Sequence, residues 1–358
     1  MEYGAIDLHK KESQIRILTE DGEIVDRRVV TTRERLTSVF WGRPRMRILL
    51  EAATESEWVA QHLETLGHEV IVADPNFTAM YGHRSRRIKT DRRDVAALAE
   101  ACQRGCYRVA HRRSALRRTV QAQLNIRREL TEARTRAISL TRALVRGGGF
   151  RIRSGSTDSF LTRVAALDLP PGMTDTLAPM RRVIELLNTE LTKADETFAT
   201  HVAEDCVVRR LTTLPGIGPI TASAYVAALD DAGRFGGAAQ VASYLGLVPR
   251  EYSSGAQQRR GHVMRSAHPY VQALLGQAAW RIVRVKDPRT AALRTWADAI
   301  AHRRGKKIAI VALARRLARV LFAMWRDEVA YDPARIRSSP RPLVVASDDG
   351  VTESAVNG

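Results

Sequence analysis

The sequence is short of cysteine, of aromatic residues, of long apolar runs and of negative charge, and each shortage excludes something. Three cysteines, Cys102, Cys106 and Cys206, provide neither a disulfide framework nor the four ligands of a structural zinc site. Cys102 and Cys106 stand one helical turn apart and read as small packing residues of a protein in a reducing compartment, the cytoplasm. No stretch approaches the roughly 18–20 uninterrupted apolar residues that span a bilayer. Met1-Glu2-Tyr3-Gly4 lacks the basic-then-apolar order of a signal peptide, so a membrane is not expected among the partners. The 39 acids are outnumbered by 57 lysines and arginines, which leaves a net charge of +18.

A positive excess of that size repels itself in the free protein, and a polyphosphate partner relieves it. The excess is also uneven. Between Arg112 and Arg146 ten arginines face two acids, Glu129 and Glu132. An arginine-rich helix with few large apolar residues suits phosphate better than lipid, so nucleic acid is the expected partner. The remaining composition, 44% hydrophobic and 27% charged, is that of an ordinary globular chain. With 358 residues, two or more domains are expected.

The first hundred residues alternate between the periods of strands and helices. Strands are expected at Tyr3 to Leu8 and at Ser13 to Leu18. After a turn centred on Asp21-Gly22, the next runs from Ile24 to Val30. Thr31 to Phe40 reads as helix and Arg45 to Leu50 as strand. Thr54-x-x-Glu57 has the form of a capping box opening a helix that runs to Leu66 and stops at Gly67. Glu69 to Ala73 is a fifth strand. The order βββαβαβα is that of an RNase H-like fold, an antiparallel meander followed by parallel crossovers. From Asp91 to about Arg146 the pattern is helical and increasingly basic, until Gly147-Gly148-Gly149 breaks it. A loop with Pro170-Pro171-Gly172 precedes a second helical stretch, near Met180 to Ala203. Past Leu211 an α-rich domain ends in an amphipathic helix, Lys307 to Glu328, and the tail from Pro333 reads as loosely ordered.

Four acids stand out. Asp7 lies in the otherwise apolar first strand, where an ionised group is costly without a partner. Glu51 follows the strand Ile48-Leu49-Leu50. Asp91 and Asp94 follow Thr90, a good helix N-cap, and are spaced to share one face of the helix. Taken singly, each could be an ordinary surface acid, and the last pair could merely favour a helix N-terminus. In an RNase H-like topology the first and fourth strands are neighbours, and a later helix can cross their ends. Converging carboxylates repel unless a cation sits among them. Mg²⁺ suits oxygen ligands and leaves positions for water and phosphate. Arg84, Arg86, Arg87, Lys89, Arg92 and Arg93 surround the last pair with charges able to hold a DNA backbone.

Two further motifs lie in the second half. Leu214-Pro215-Gly216-Ile217-Gly218-Pro219 has the form of a helix–hairpin–helix turn, in which Gly216 and Gly218 leave backbone N–H groups open to a phosphate. Gly246 to Gly255 then leads into Arg259-Arg260-Gly261-His262-Val263-Met264-Arg265. A serine before a glycine, on a loop between basic residues, can present a hydroxyl to a phosphodiester, although Ser-Gly is also common turn chemistry.

Together these motifs resemble the DEDD transposases of a bacterial insertion-sequence family and the related Piv/MooV DNA invertases. Ile6-Asp7-Leu8-His9-Lys10, Glu51 and Lys89-Thr90-Asp91-Arg92-Arg93-Asp94 resemble the RuvC-like half. LPGIGPITA and GLVPREYSSG…RRGHVMR resemble the C-terminal transposase half. The resemblance implies that Asp7, Glu51, Asp91 and Asp94 bind Mg²⁺ and that Ser254 is the nucleophile joined to DNA, with Ser253 the alternative hydroxyl. It implies guidance by a structured bridge RNA and action as a homo-oligomer, dimer or tetramer. Arg86, Arg87, Lys89, Arg92, Arg93, Gly216, Gly218, Arg259, Arg260 and Arg265 are the expected nucleic-acid contacts. Where the family commonly has Lys-x-Gly after the serine loop, this chain has Arg265-Ser266-Ala267. The expected layout is a RuvC-like domain over 1–108, a basic helical or coiled-coil arm over 109–205, a transposase domain over 206–332 and a flexible tail over 333–358. A RuvC-like nuclease or Holliday-junction resolvase using activated water is the competing enzyme, and a non-catalytic nucleic-acid binder is the third reading.

Overall fold

The structure, a computed structural model, describes residues 1–81, 91–254, 257–263 and 268–337; for Asp91, His201, 249–254 and 257–263 it describes the backbone alone. The chain divides into two compact units, Met1–Arg113 and Ser114–Gly358.

In the first unit the strands are β1 (Tyr3–Asp7), β2 (Glu12–Leu18), β3 (Ile24–Val30), β4 (Arg47–Glu51) and β5 (Glu69–Ala73). The helices are α1 (Arg33–Phe40), α2 (Ser56–Thr65) and α3 (Asp91–Arg104). They form one sheet of order β3-β2-β1-β4-β5. β1, β2 and β3 are antiparallel neighbours, whereas β4 runs parallel to both β1 and β5. The meander and crossovers expected from the alternating pattern are therefore present. Alternation puts successive side chains on opposite faces of the sheet, and in β1 and β4 both faces are buried. Ile6, Ile15, Ile48 and Leu50 pack with Leu36, Phe40, Val59 and Leu63 of α1 and α2. Ala5, Leu49 and Ala73 pack with Val95, Leu98, Ala99 and Cys102 of α3.

The far edge of β5 is not left bare. Asp74 N–H donates to the Arg108 carbonyl at 2.8 Å, Ala110 N–H donates to the Val72 carbonyl at 2.8 Å, and Val109 bridges Ala73. Arg112 then clasps α2, bonding both oxygens of Glu57 at 3.0 and 3.2 Å and pairing with Glu64 two turns further on.

Several local expectations are corrected. The Thr54-x-x-Glu57 capping box does not form. The Ser56 hydroxyl donates to the Ala53 carbonyl at 2.9 Å and accepts its N–H at 3.2 Å, so the helix begins after Glu55, which makes no side-chain cap. Gly67, with φ +93°, does end the helix as expected. The helical run from Asp91 is two helices: α3 stops at Arg104, Gly105 turns left-handed with φ +66°, and the next helix starts at Ala115. Cys106 thus lies beyond α3 and is exposed, while Cys102 is buried.

In the second unit α4 (Ala115–Gly147) and α6 (Pro171–Glu204) lie antiparallel, with the short α5 (Phe160–Ala165) between them in sequence. Arg127 bonds Asp195, and Arg134 bonds Asn188 at 3.1 Å. Pro171 is the first residue of α6 rather than part of a loop, because the first turn of a helix has no use for the missing N–H. At about 50 Å α4 is held at two places. Ala137, Ile138, Phe160 and Ile184 form a small cluster, and Val120, Leu124 and Phe198 belong to the main core. That core is built from α7 (Cys206–Leu211), α8 (Pro219–Leu229), α9 (Ala238–Tyr244), α10 (Pro269–Val285), α11 (Ala291–Arg304) and α12 (Lys306–Arg326). α8 is buried along Thr221–Leu229, as an all-round apolar helix must be. No described helix is long and apolar enough to cross a membrane. The serine segment, read as a loop, is mostly a two-stranded ribbon of β6 (Pro249–Ser254) and β7 (Gln257–Val263). Of the tail, Pro333–Arg335 forms a 3-10 turn, and 338–358 lie outside the described residues.

Candidate active site

Asp7 and Glu51 are the last residues of β1 and β4. These strands are parallel neighbours in the register Ile6 with Leu50, so the two acids end the same side of the sheet. By strand alternation both fall on the face of Ala5 and Leu49, which α3 covers. Near the end of α3, Cys102 Sγ donates to the carbonyl of Arg47 at the start of β4, and Arg92 in the helix's first turn reaches Asp26 of β3. Asp94, in that turn, is 7% exposed. Asp91 begins the helix, and its side chain lies outside the described residues.

The surroundings hold these acids in place. Asp7 Oδ2 is 3.5 Å from His9 Nε2, and the Tyr81 hydroxyl donates to Glu51 Oε1. Arg92 donates to Asp26 at 3.1 Å, and Arg16 grips the same carboxylate at 2.7 and 2.8 Å. The Arg16 guanidinium holds the Asp26 carboxyl below the usual carboxylate range. Arg92 is thus engaged by a protein acid, whereas Arg93 is exposed. Arg86, Arg87 and Lys89 lie outside the described residues. Among the described side chains no group of three or more His, Cys, Asp or Glu is close enough to hold a metal. The donor chemistry nevertheless fits a hard divalent cation, since Asp7 and Glu51 offer carboxylate oxygens at one end of the sheet, on the face that α3 and its buried Asp94 cover.

Ser254 ends β6 and pairs with Gln257, with 255 and 256 between them outside the described residues; Ser253 is one step further back, opposite Gln258. Arg259 and Arg260 of β7 pair with Tyr252 and Glu251, and the ladder is irregular between Pro249 and Glu251. Arg265 lies outside the described residues.

The glycine motif joins α7 to α8. Gly216 has φ +98°, which favours glycine, and Gly218 caps α8 with no side-chain hydrogen bond. The turn borders a 750 Å³ cleft whose other wall is α10, with Trp280, Arg281 and Arg284 on the rim. These three residues stand outside the motifs legible above, although an aromatic residue with arginines at helical spacing is a nucleic-acid signal.

Residues 5–148 match the DEDD family of insertion-sequence transposases, and residues 208–294 match the transposase IS116/IS110/IS902 family. A probable family 20 transposase of Pseudomonas aeruginosa is 31% identical over 92% of this chain and 98% of its own. The chain belongs to the IS116/IS110/IS902 transposase family. The transposase for insertion sequence element IS1111A of Coxiella burnetii is 29% identical over 68% of each chain. That of element IS1328 of Yersinia enterocolitica is 25% identical over 89% of this chain and 95% of its own. The transposase is accordingly an enzyme of DNA cleavage and strand transfer, and membership of the DEDD family implies use of a divalent metal. The first matched segment contains all four acids, and the second contains both Ser254 and the glycine turn.

Proposed function

We propose that the first unit is a RuvC-like, RNase H-type catalytic domain in which Asp7, Glu51, Asp91 and Asp94 hold Mg²⁺, and that Ser254 is the hydroxyl that attacks DNA. What supports the reading is that Asp7 and Glu51 end neighbouring parallel strands on the sheet face that α3 covers, and that Asp94 of α3 is buried. When bound, the cation supplies Lewis-acid stabilisation of charge on the scissile phosphate. The four carboxylates orient that phosphate, and Tyr81 and His9 fix the first two of them.

In the transfer itself, Ser254 Oγ forms a bond to phosphorus as one bridging P–O bond breaks. The serine proton passes to solvent, and the departing deoxyribose oxygen takes one up. The phosphoserine linkage keeps the bond energy, so a second deoxyribose hydroxyl can reverse the step and reseal the strand without ATP. Arg259 and Arg260, across the ribbon from Tyr252 and Glu251, are proposed to steady the DNA backbone beside the serine. By family resemblance we further propose that a structured bridge RNA selects the DNA and that the working form is a homo-oligomer.

The test uses the full chain with its copurifying RNA and a DNA substrate, and scores denaturant-resistant protein–DNA adducts together with strand exchange. Ser254→Ala is expected to abolish both, whereas Ser253→Ala retains them. Asp7→Asn and Asp94→Asn are expected to lower cleavage at least ~100-fold while DNA binding persists. Undiminished cutting by Ser254→Ala would instead favour a nuclease that uses activated water. Unchanged cleavage in both acid variants would remove the metal pocket.

A further inference from the structure

The cleft between the Gly216–Gly218 turn and α10 takes no part in the chemistry proposed above, and it lies wholly within the second unit. Its 750 Å³ falls inside the span of about 300–1,000 Å³ usual for ligand clefts. Ile217 and Ala278 give it an apolar floor. The rim is chemically different. Trp280 and Arg281 follow Gln277 by three and four residues, and Arg284 follows them by four and three, so the four form one stripe along α10. Trp280 is left 37% exposed, although burying an indole would have added stability. The Arg284 guanidinium lies 5.5 Å from the centroid of that ring.

Charge is what distinguishes these arginines from their neighbours. Arg289 pairs with Asp287 at 2.9 Å, and Arg294 donates to the Asp287 carbonyl. Among the described residues neither Arg281 nor Arg284 forms an ion pair. Two uncompensated cations one turn apart, beside an accessible indole over an apolar floor, complement a ligand that joins a negative group to a flat aromatic one. A nucleotide is such a ligand. In a duplex the base faces are stacked on one another and out of reach, so the match is to an unpaired nucleotide.

We propose that this cleft holds an unpaired nucleotide of the nucleic acid on which the transposase works, its base against Trp280 and its phosphate between Arg281 and Arg284. The shape of the turn supports this assignment. A side chain at position 216 would strike Ile282, with a Cβ only 2.8 Å from its Cγ1. Glycine therefore keeps the turn close against α10, and the cleft is a built feature. The proposal does not depend on Ser254 or on the metal pocket.

Single strands of DNA and of RNA, each labelled with a fluorophore, are titrated with the full chain, alongside a DNA duplex of the same sequence. Anisotropy gives affinity, and the indole emission gives a direct signal of stacking. The wild-type emission is expected to be quenched by the single strand that binds, and Trp280→Phe is expected to remove that quenching, since the other four tryptophans lie elsewhere. Trp280→Ala is expected to weaken single-strand binding about ten-fold and to leave duplex binding unchanged, while Trp280→Phe keeps most of the affinity. Arg281→Ala and Arg284→Ala are each expected to lower the dependence of log K on log salt by about one. Equal weakening of single strand and duplex by Trp280→Ala would overturn the proposal. So would wild-type quenching that persists in Trp280→Phe, or single-strand affinity that no variant alters.

Discussion

Replacing Gly216 by alanine would place a methyl group on a residue whose φ is +98° and 2.8 Å from Cγ1 of Ile282, a buried core side chain. Two costs add. An L-residue in the left-handed region loses about 1–2 kcal/mol, and overpacking against a fixed neighbour adds about 1–2 more. A loss of about 2–4 kcal/mol corresponds to a Tm lower by ~5–15 °C for a unit of this size. Gly218 is the control, since its φ is −92° and a methyl group there meets nothing within 4 Å. Gly218→Ala is expected to lower Tm by no more than about 4 °C, the modest cost of alanine at an N-cap. Differential scanning calorimetry of both variants checks the contrast. If the two glycines prove equally replaceable, or if Gly218→Ala is the more damaging, the turn is not held by the approach of Gly216 to α10. The double variant Gly216→Ala/Ile282→Ala is expected to cost less than the sum of its single changes, because removing Ile282 relieves the clash.

Two other outcomes follow from the first unit. Arg16 holds the Asp26 carboxyl below its ordinary value of 3.8, so the pairing adds stability above about pH 4 that is lost as pH falls through the lowered folded-state value. Asp26→Asn is expected to cost about 1–2 kcal/mol at pH 7, and urea melts should show that gap closing below pH 4. A gap independent of pH would refute the ionic account. Burial pushes the Cys102 thiol up to about 12. Iodoacetamide at pH 8 is thus expected to label Cys106 and Cys206 and spare Cys102 until the fold is lost, which peptide mass spectrometry would read.

The strands were legible because their signal is local. Ile24–Val30 and Glu69–Ala73 have the bounds their alternation announces. What escaped was decided by competition between neighbours. The Ser56 hydroxyl reached Ala53 before Thr54 could cap a helix. Pro170-Pro171-Gly172 carries turn residues, but Pro171 serves equally well to open a helix. The serine segment was read from its glycines and charges, and its pairing with Gln257–Val263 depends on a partner strand that its own composition does not name. At the candidate site, Asp7 and Glu51 could be placed from strand order alone. The burial of Asp94 depended on long-range packing of α3 on the sheet, seen in the contacts of Cys102 with Arg47 and of Arg92 with Asp26. Trp280 was overlooked because an exposed indole and a core indole look alike until the surface is known.

The clasp of Arg112 on α2 has a mechanical consequence. The polypeptide leaves the first unit through residues 108–112, which are stitched to the outer edge of β5 and tied by one guanidinium to both Glu57 and Glu64. A pull arriving from the long helix would be spent in shear on those ties first. The strand ends that carry Asp7 and Glu51 sit on β1 and β4, inboard of that edge. The ends of β1 and β4 are thus set apart from the exit of the chain by β5 and its stitched outer edge.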